Sequence, residues 1–218
     1  MKHLRIATLS LALLALPALL AACAQTPPAE QAAPEPAGER WEISSALYAF
    51  DPPDDDAYVL PIVRADRGDL HLEARYNYEG RDTGSLWIGR NFELGGELAV
   101  TLTPMLGAVL GEVGGVAPGL EVGADWRRFA FYTEAEYVFD TGGDDDDFFY
   151  MWSELSYAPT DWARVGIVGQ RTRTYDQELE VDRGFVLGFG VGRVWIDFFV
   201  FNPDVDEPYV AASAGAAL

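Results

Sequence analysis

Asp69-Leu70-His71-Leu72-Glu73-Ala74-Arg75-Tyr76-Asn77-Tyr78-Glu79 alternates strictly between two kinds of residue. Leu70, Leu72, Ala74, Tyr76 and Tyr78 share one face, and His71, Glu73, Arg75, Asn77 and Glu79 share the other, because strand side chains point to opposite faces in turn. In a water-soluble sandwich the polar set would face water. In a membrane barrel the pattern inverts, with lipid outside and a polar lumen inside. One strand does not decide between these, but its surroundings do. A tight turn, Asp66-Arg67-Gly68-Asp69, precedes it, and Gly192-Arg193 is another such turn. Alternate gaps are longer and mostly acidic: Asp51-Pro52-Pro53-Asp54-Asp55-Asp56, Thr141-Gly142-Gly143-Asp144-Asp145-Asp146-Asp147 and Pro203-Asp204-Val205-Asp206-Glu207-Pro208. Short turns at one end and longer polar loops at the other are the plan of an outer-membrane β-barrel.

Working outward, strands are expected at Trp41–Phe50, Tyr58–Ala65, Asp69–Glu79, Gly84–Glu93, Glu97–Leu110 and Pro118–Trp126. More follow at Arg128–Phe139, Phe148–Ala158, Ala163–Tyr175, Asp182–Gly192, Val194–Asn202 and Tyr209–Leu218. The expected fold is all-β: a closed antiparallel up-and-down transmembrane barrel of about twelve strands, of the length a tilted membrane strand needs. An even strand number puts both termini on the tight-turn, periplasmic side. Trp126, Phe129, Trp162 and Trp195 beside the tight turns form one expected aromatic girdle. Tyr76, Tyr78, Tyr137, Phe139, Phe149, Tyr175 and Tyr209 near the loops form the other.

The N-terminus reads as an address. Met1-Lys2-His3-Leu4-Arg5 is a positive n-region, and the apolar run Ile6 to Leu20 ends in Leu20-Ala21-Ala22-Cys23. This is a secretory signal, too short for a spanning helix. Leu-Ala-Ala-Cys resembles the bacterial lipobox, which implies lipidation at Cys23, the only cysteine. Cleavage after Ala24 is the alternative. The expected division is residues 1–23 signal, 24–40 a disordered Pro/Ala-rich tether, and 41–218 the barrel.

The formal charge is -20, and the only lysine, Lys2, lies in the signal. Nucleic acid is excluded as a partner, since phosphate would be repelled. The expected partners are outer-membrane lipids, the outer-membrane assembly machinery, and divalent cations at the acidic loops. The assembly machinery is implied by Val210-Ala211-Ala212-Ser213-Ala214-Gly215-Ala216-Ala217-Leu218, which resembles a barrel-closing strand although it ends in Leu218 rather than an aromatic.

A charge on the lipid face costs roughly 2–4 kcal/mol for Arg near the midplane and less for Glu. The expected lumen network is therefore Glu73, Arg75, Glu134, Glu136, Glu154, Arg171 and Arg173, with Arg171 and Arg173 paired to the glutamates. Glu121, Asp125 and Asp197 add to the lining. Inward Arg171 and Arg173 would turn Val165 and Ile167 inward too, unless a bulge near Gly169 intervenes. Gly184, Gly188, Gly190 and Gly192 leave space at the wall. The one histidine of the mature chain, His71, sits at the tight-turn rim. Ser85, Ser153 and Ser156 show no spacing that ties them to it, so no catalytic residue is assigned. The Asp runs lack the spacing of a calcium loop. No metal site and no cofactor is expected.

The segment Tyr58 through Phe92, including Arg64-Ala65-Asp66-Arg67-Gly68-Asp69-Leu70-His71, together with Gln170-Arg171-Thr172-Arg173 and Phe201-Asn202-Pro203-Asp204, resembles an uncharacterised family of bacterial outer-membrane β-barrel proteins. Its architecture is similar to that of small twelve-stranded porins. The resemblance implies a fold and an outer-membrane address, with no reaction and no ligand residues. Three function classes follow: a narrow, cation-favouring channel for small solutes, a closed structural or surface-interaction barrel, and, least favoured, a barrel hydrolase. A soluble ligand-binding barrel is a fourth possibility at the level of the fold.

Overall fold

A computed structural model describes residues 40–53, 56–142, 147–174 and 180–218, without the side chains of residues 173 and 174. The signal, Cys23, nearly all of the tether, Tyr175 and much of the acidic loop runs lie outside these residues.

The described chain forms β1 (Glu42–Asp51), β2 (Tyr58–Arg67), β3 (Leu70–Tyr76), β4 (Thr83–Arg90), β5 (Phe92–Leu94), β6 (Leu98–Gly111), β7 (Gly115–Trp126), β8 (Phe129–Asp140), β9 (Phe148–Thr160), β10 (Ala163–Thr174), β11 (Glu180–Val191), β12 (Val194–Phe201) and β13 (Tyr209–Ala217). β4 and β5 both pair with β6 in one unbroken register, Gly89 opposite Met105 and Phe92 opposite Leu102, so they make a single stave. The Asn91 side chain bridges the break, donating to Asp66 Oδ1 at 2.7 Å and accepting from Thr103 Oγ1 at 2.7 Å. Consecutive staves pair antiparallel, and β1 pairs with β13. No edge is left open. The result is a closed, up-and-down barrel of twelve staves.

Two tight turns use left-handed glycines, Gly68 at φ 60° and Gly192 at φ 64°, a conformation that costs glycine nothing. β3 stops at Tyr76, three residues before the expected end. Asn77 takes φ 57°, its N–H donates to Thr83 O at 2.8 Å, and its side-chain amide donates to Val59 O at 3.0 Å. The chain therefore turns back early, and Glu79 lies in the turn rather than on the strand.

The two faces of the wall have inverted polarity. Leu86 is 62% exposed and Ile88 57%, with Leu106, Leu155, Ile167, Phe185 and Phe198 also on the outside. His71, Glu73, Arg75, Glu121, Glu134, Glu136, Asp197 and Ser213 are buried on the inside. A soluble barrel would place these sets the other way round. The interior also holds an apolar cluster that includes Phe50, Leu60, Ile62, Trp152, Phe199 and Phe201, and the apolar exterior suits a wall that meets hydrocarbon.

Exposed aromatics ring the tight-turn end: Trp126 stacks on Phe129 at 6.0 Å, and Trp162 on Phe189 at 6.2 Å. Tyr76 and Phe139 are exposed at the loop end. Three of the expected girdle residues face the interior instead. Trp195 and Tyr78 line lumen cavities, and Tyr209 is buried against Phe201.

Candidate functional site

β3 brings His71, Glu73 and Arg75 to the lumen by simple alternation. Arg75 and Glu73 have fully buried side chains, with Arg75 Nε 2.9 Å from Glu73 Oε1. Arg75 Nη1 donates to Glu136 Oε2 on β8 at 2.8 Å. The guanidinium also lies 4.2 Å over the Tyr78 ring and 4.7 Å over Trp87, a cation–π arrangement strengthened by loss of water. Trp87 can lie flat there because Gly107 faces it across the β4–β6 pair. A Cβ on Gly107 would sit 2.6 Å from the indole.

Arg64 of β2 completes this cluster. Its Nη2 lies 3.1 Å from Glu121 Oε1, 3.2 Å from Glu73 Oε1 and 3.6 Å from Glu134 Oε2. Tyr132 Oη is 2.8 Å from Glu121 and 2.6 Å from Glu134. Four glutamates thus share two arginines, and the cluster is acid-rich. His71, Glu73 and Glu121 bring ligand atoms within 4.8 Å of one another, a spacing a metal could bridge. Arg64 and Arg75 also place positive charge beside Glu73 and Glu121 there. His71 Nδ1 lies 2.9 Å from Asp66 and Nε2 3.4 Å from Glu73. Ser85 and Ser156 instead reach Glu79 and Arg164, and Ser153 is 2.9 Å from Thr133 Oγ1. Among the described residues, His71 pairs with Asp66 and Glu73, and none of these three serines reaches it.

A second, smaller cluster stands apart. Arg164 of β10 donates to Glu154 of β9 and, through Nε at 3.0 Å, to Asp197 of β12. Ser213 adds a bond to Asp197 at 3.3 Å. Gly188 makes room for it, since a Cβ there would overlap both Asp197 Oδ1 and the Arg164 side chain.

Arg164 takes the place expected for Arg171. Arg171 is exposed on the outer face, in phase with exposed Val165 and Ile167. β10 alternates through Gly169 without a bulge. The irregularity in its pairing with β9 falls between Ala163 and Val165, beside Arg164. An outward Arg171 is tolerable because it lies near the loop end of β10, where the cost of a charge falls and a long side chain reaches the polar interface. The Arg173 side chain lies outside the described residues. Asp125 is exposed at the tight-turn rim and does not join the lining.

Cavities follow one another along the lumen. One of about 380 Å³ at the loop end is lined by Phe50, Tyr58, Leu60, Tyr78, Glu79, Val113, Phe148, Tyr150, Gln170 and Thr172. A central cavity of about 240 Å³ shares Phe50, Leu60, Tyr78 and Tyr150 with it, and adds Arg64, Glu134, Glu154, Arg164, Trp195 and Asp197. A third, of about 190 Å³ beside the tight turn at Asp161-Trp162, shares Arg164, Trp195 and Asp197 with the central one. Alternation puts Glu79 on the polar face of its expected strand but does not single out Arg64 or Tyr132 as lining groups. Arg64 sits in an otherwise apolar inward row with Leu60 and Ile62.

No protein-family model matches the chain, and no curated protein matches it in sequence. Solved structures share its fold. A structure described as "KdgM porin" aligns with a TM-score of 0.57 at 8% identity, covering 81% of this chain and 99% of that one. Another, "KdgM porin in complex with disordered oligogalacturonate", aligns with a TM-score of 0.58 at 7% identity over the same shares. At such identity the likeness is one of fold: this chain is similar to outer-membrane porin barrels.

Proposed function

We propose that the protein is an outer-membrane barrel providing a narrow, cation-favouring passage for small solutes. The observation that carries this reading is the succession of three cavities with shared walls, from the loop end past Tyr78 and Tyr150 to Arg164, Asp197 and the tight turns. An acid-rich lumen lowers the energy of a cation and raises that of an anion, most strongly where water is scarce. Oligogalacturonate, the ligand of the similar porin, is a polyanion and does not suit this lining. The reading is of a non-enzymatic protein whose termini lie on the periplasmic side. Cys23 carries a lipid anchor, the last strand is handled by the assembly machinery, and the acidic loops attract divalent cations.

The test is solute entry into liposomes that hold the folded protein. Small cationic and neutral solutes should enter faster than anions of equal size. The closed structural barrel is the rival reading, favoured by the ion cluster that fills the β3–β8 side. Liposomes that stay tight to every solute, with both wild type and Tyr150→Ala, would establish it.

A further inference from the structure

Glu79 is the unusual group of the loop-end cavity. It is only 7% exposed. Its Oε1 accepts from Ser85 Oγ at 2.5 Å and from Trp87 Nε1 at 3.3 Å, whereas its buried Oε2 has no hydrogen-bond partner. A buried carboxylate oxygen left unpaired costs more than the bond it lacks. Arg75, whose charge acts on Glu79, is committed through Nε to Glu73 and through Nη1 to Glu136.

The remaining walls are mostly aromatic. Phe50 and Tyr58 stack at 5.2 Å with 12° between planes. Tyr78 and Tyr150 meet edge to face at 5.2 Å, and Phe148 closes the ring of side chains. Ring faces attract cations, and the protein already uses two of these rings so, with Arg75 over Tyr78 and Arg81 4.9 Å over Tyr58. A calcium ion calls for six to eight oxygens, and one carboxylate among aromatic rings does not offer them. An organic cation needs one counter-charge and polarisable walls. A volume of about 380 Å³ lies within the range of small-molecule sites.

We propose that this cavity binds a small organic monocation, a primary amine or quaternary ammonium group, held by Glu79 within the aromatic walls. Onward movement of that cation rests on the channel reading, whereas its capture at Glu79 does not.

The test uses choline as probe and 3,3-dimethylbutan-1-ol, its uncharged isostere, as control. Binding is followed by the protein's own fluorescence in detergent, on protein shown to be folded by heat-dependent gel mobility. Choline should bind and the isostere should bind at least about tenfold more weakly. Glu79→Gln keeps the shape and an acceptor for Ser85, and should weaken choline about tenfold. Phe148→Leu leaves every charge in place and should weaken it about threefold. Equal binding of choline and its isostere, or undiminished choline binding by folded Glu79→Gln, overturns the site. Choline binding by a protein that passes no current upholds the site and removes only the channel reading.

Discussion

Arg75 on β3 donates to Glu136 on β8 at 2.8 Å, although β4, β6 and β7 separate these staves around the ring. The contact crosses the lumen. It ties together walls four staves apart around the ring and packs charge into the lumen, where Arg64 and Glu134 of the same cluster also line the central cavity.

Removing one partner of a buried pair leaves an uncompensated charge, at about 3–5 kcal/mol. Arg75→Met should lower the stability of the folded barrel by that order. Arg75→Met combined with Glu136→Met should recover part of the loss. Unfolding in urea, read by heat-dependent gel mobility, measures both. Strictly additive losses would show that the pair is not coupled.

The outer wall gives the opposite expectation from a soluble protein. Ile88 is exposed, and on a water-facing surface Ile88→Arg would be nearly neutral. Facing hydrocarbon, it should cost about 2–4 kcal/mol for folding into lipid vesicles. Folding unchanged by Ile88→Arg would show that this face meets water.

Arg171 and Arg164 should behave unlike each other. Arg171→Leu changes an outward side chain near the interface, and stability should move by less than about 1 kcal/mol. Arg164→Leu strips the partner from Glu154 and Asp197 and should cost several times more, near the lower end of the buried-pair range of about 3–5 kcal/mol because Arg164 is part-exposed. Comparable costs would place both arginines in similar surroundings.

The contrast also shows what was legible in the chain. Period-two alternation and the long–short rhythm of the gaps delivered the barrel, and phase alone put Glu73, Arg75, Glu134 and Glu136 on inward positions. The same phase pointed Arg164 inward as soon as Val165 and Ile167 faced out. The general cost of charge in lipid, applied without regard to depth, had set that cue aside in favour of Arg171. The Arg75–Glu136 contact was not legible, because it depends on ring closure rather than on neighbouring strands. Nor was the turn at Asn77, whose positive φ cuts β3 short and folds Glu79 back over the cavity.

Glu79 supplies a pH signature. It lies in the turn outside the strands, and burial holds its carboxyl above the usual range, against the pull of the Ser85 bond, Arg75 and Trp87. The unfolded chain therefore ionises Glu79 at lower pH than the folded barrel does. Stability falls as pH rises from the ordinary carboxylate range through the folded value. Glu79→Gln lacks this loss. Its stability relative to wild type should grow across that window and level off above it, in unfolding curves taken without organic cations. A difference independent of pH would mean that Glu79 is not desolvated.

The most direct test of the central claim is the reversal potential of single channels in a planar bilayer under a KCl gradient. Small, resolvable steps with a cation-favouring potential are expected, the preference weakening in Asp197→Asn, which removes a carboxylate from the wall shared by two cavities. An anion-favouring potential would contradict the account. So would the absence of steps from both wild type and Tyr150→Ala, and the protein would then be a closed barrel.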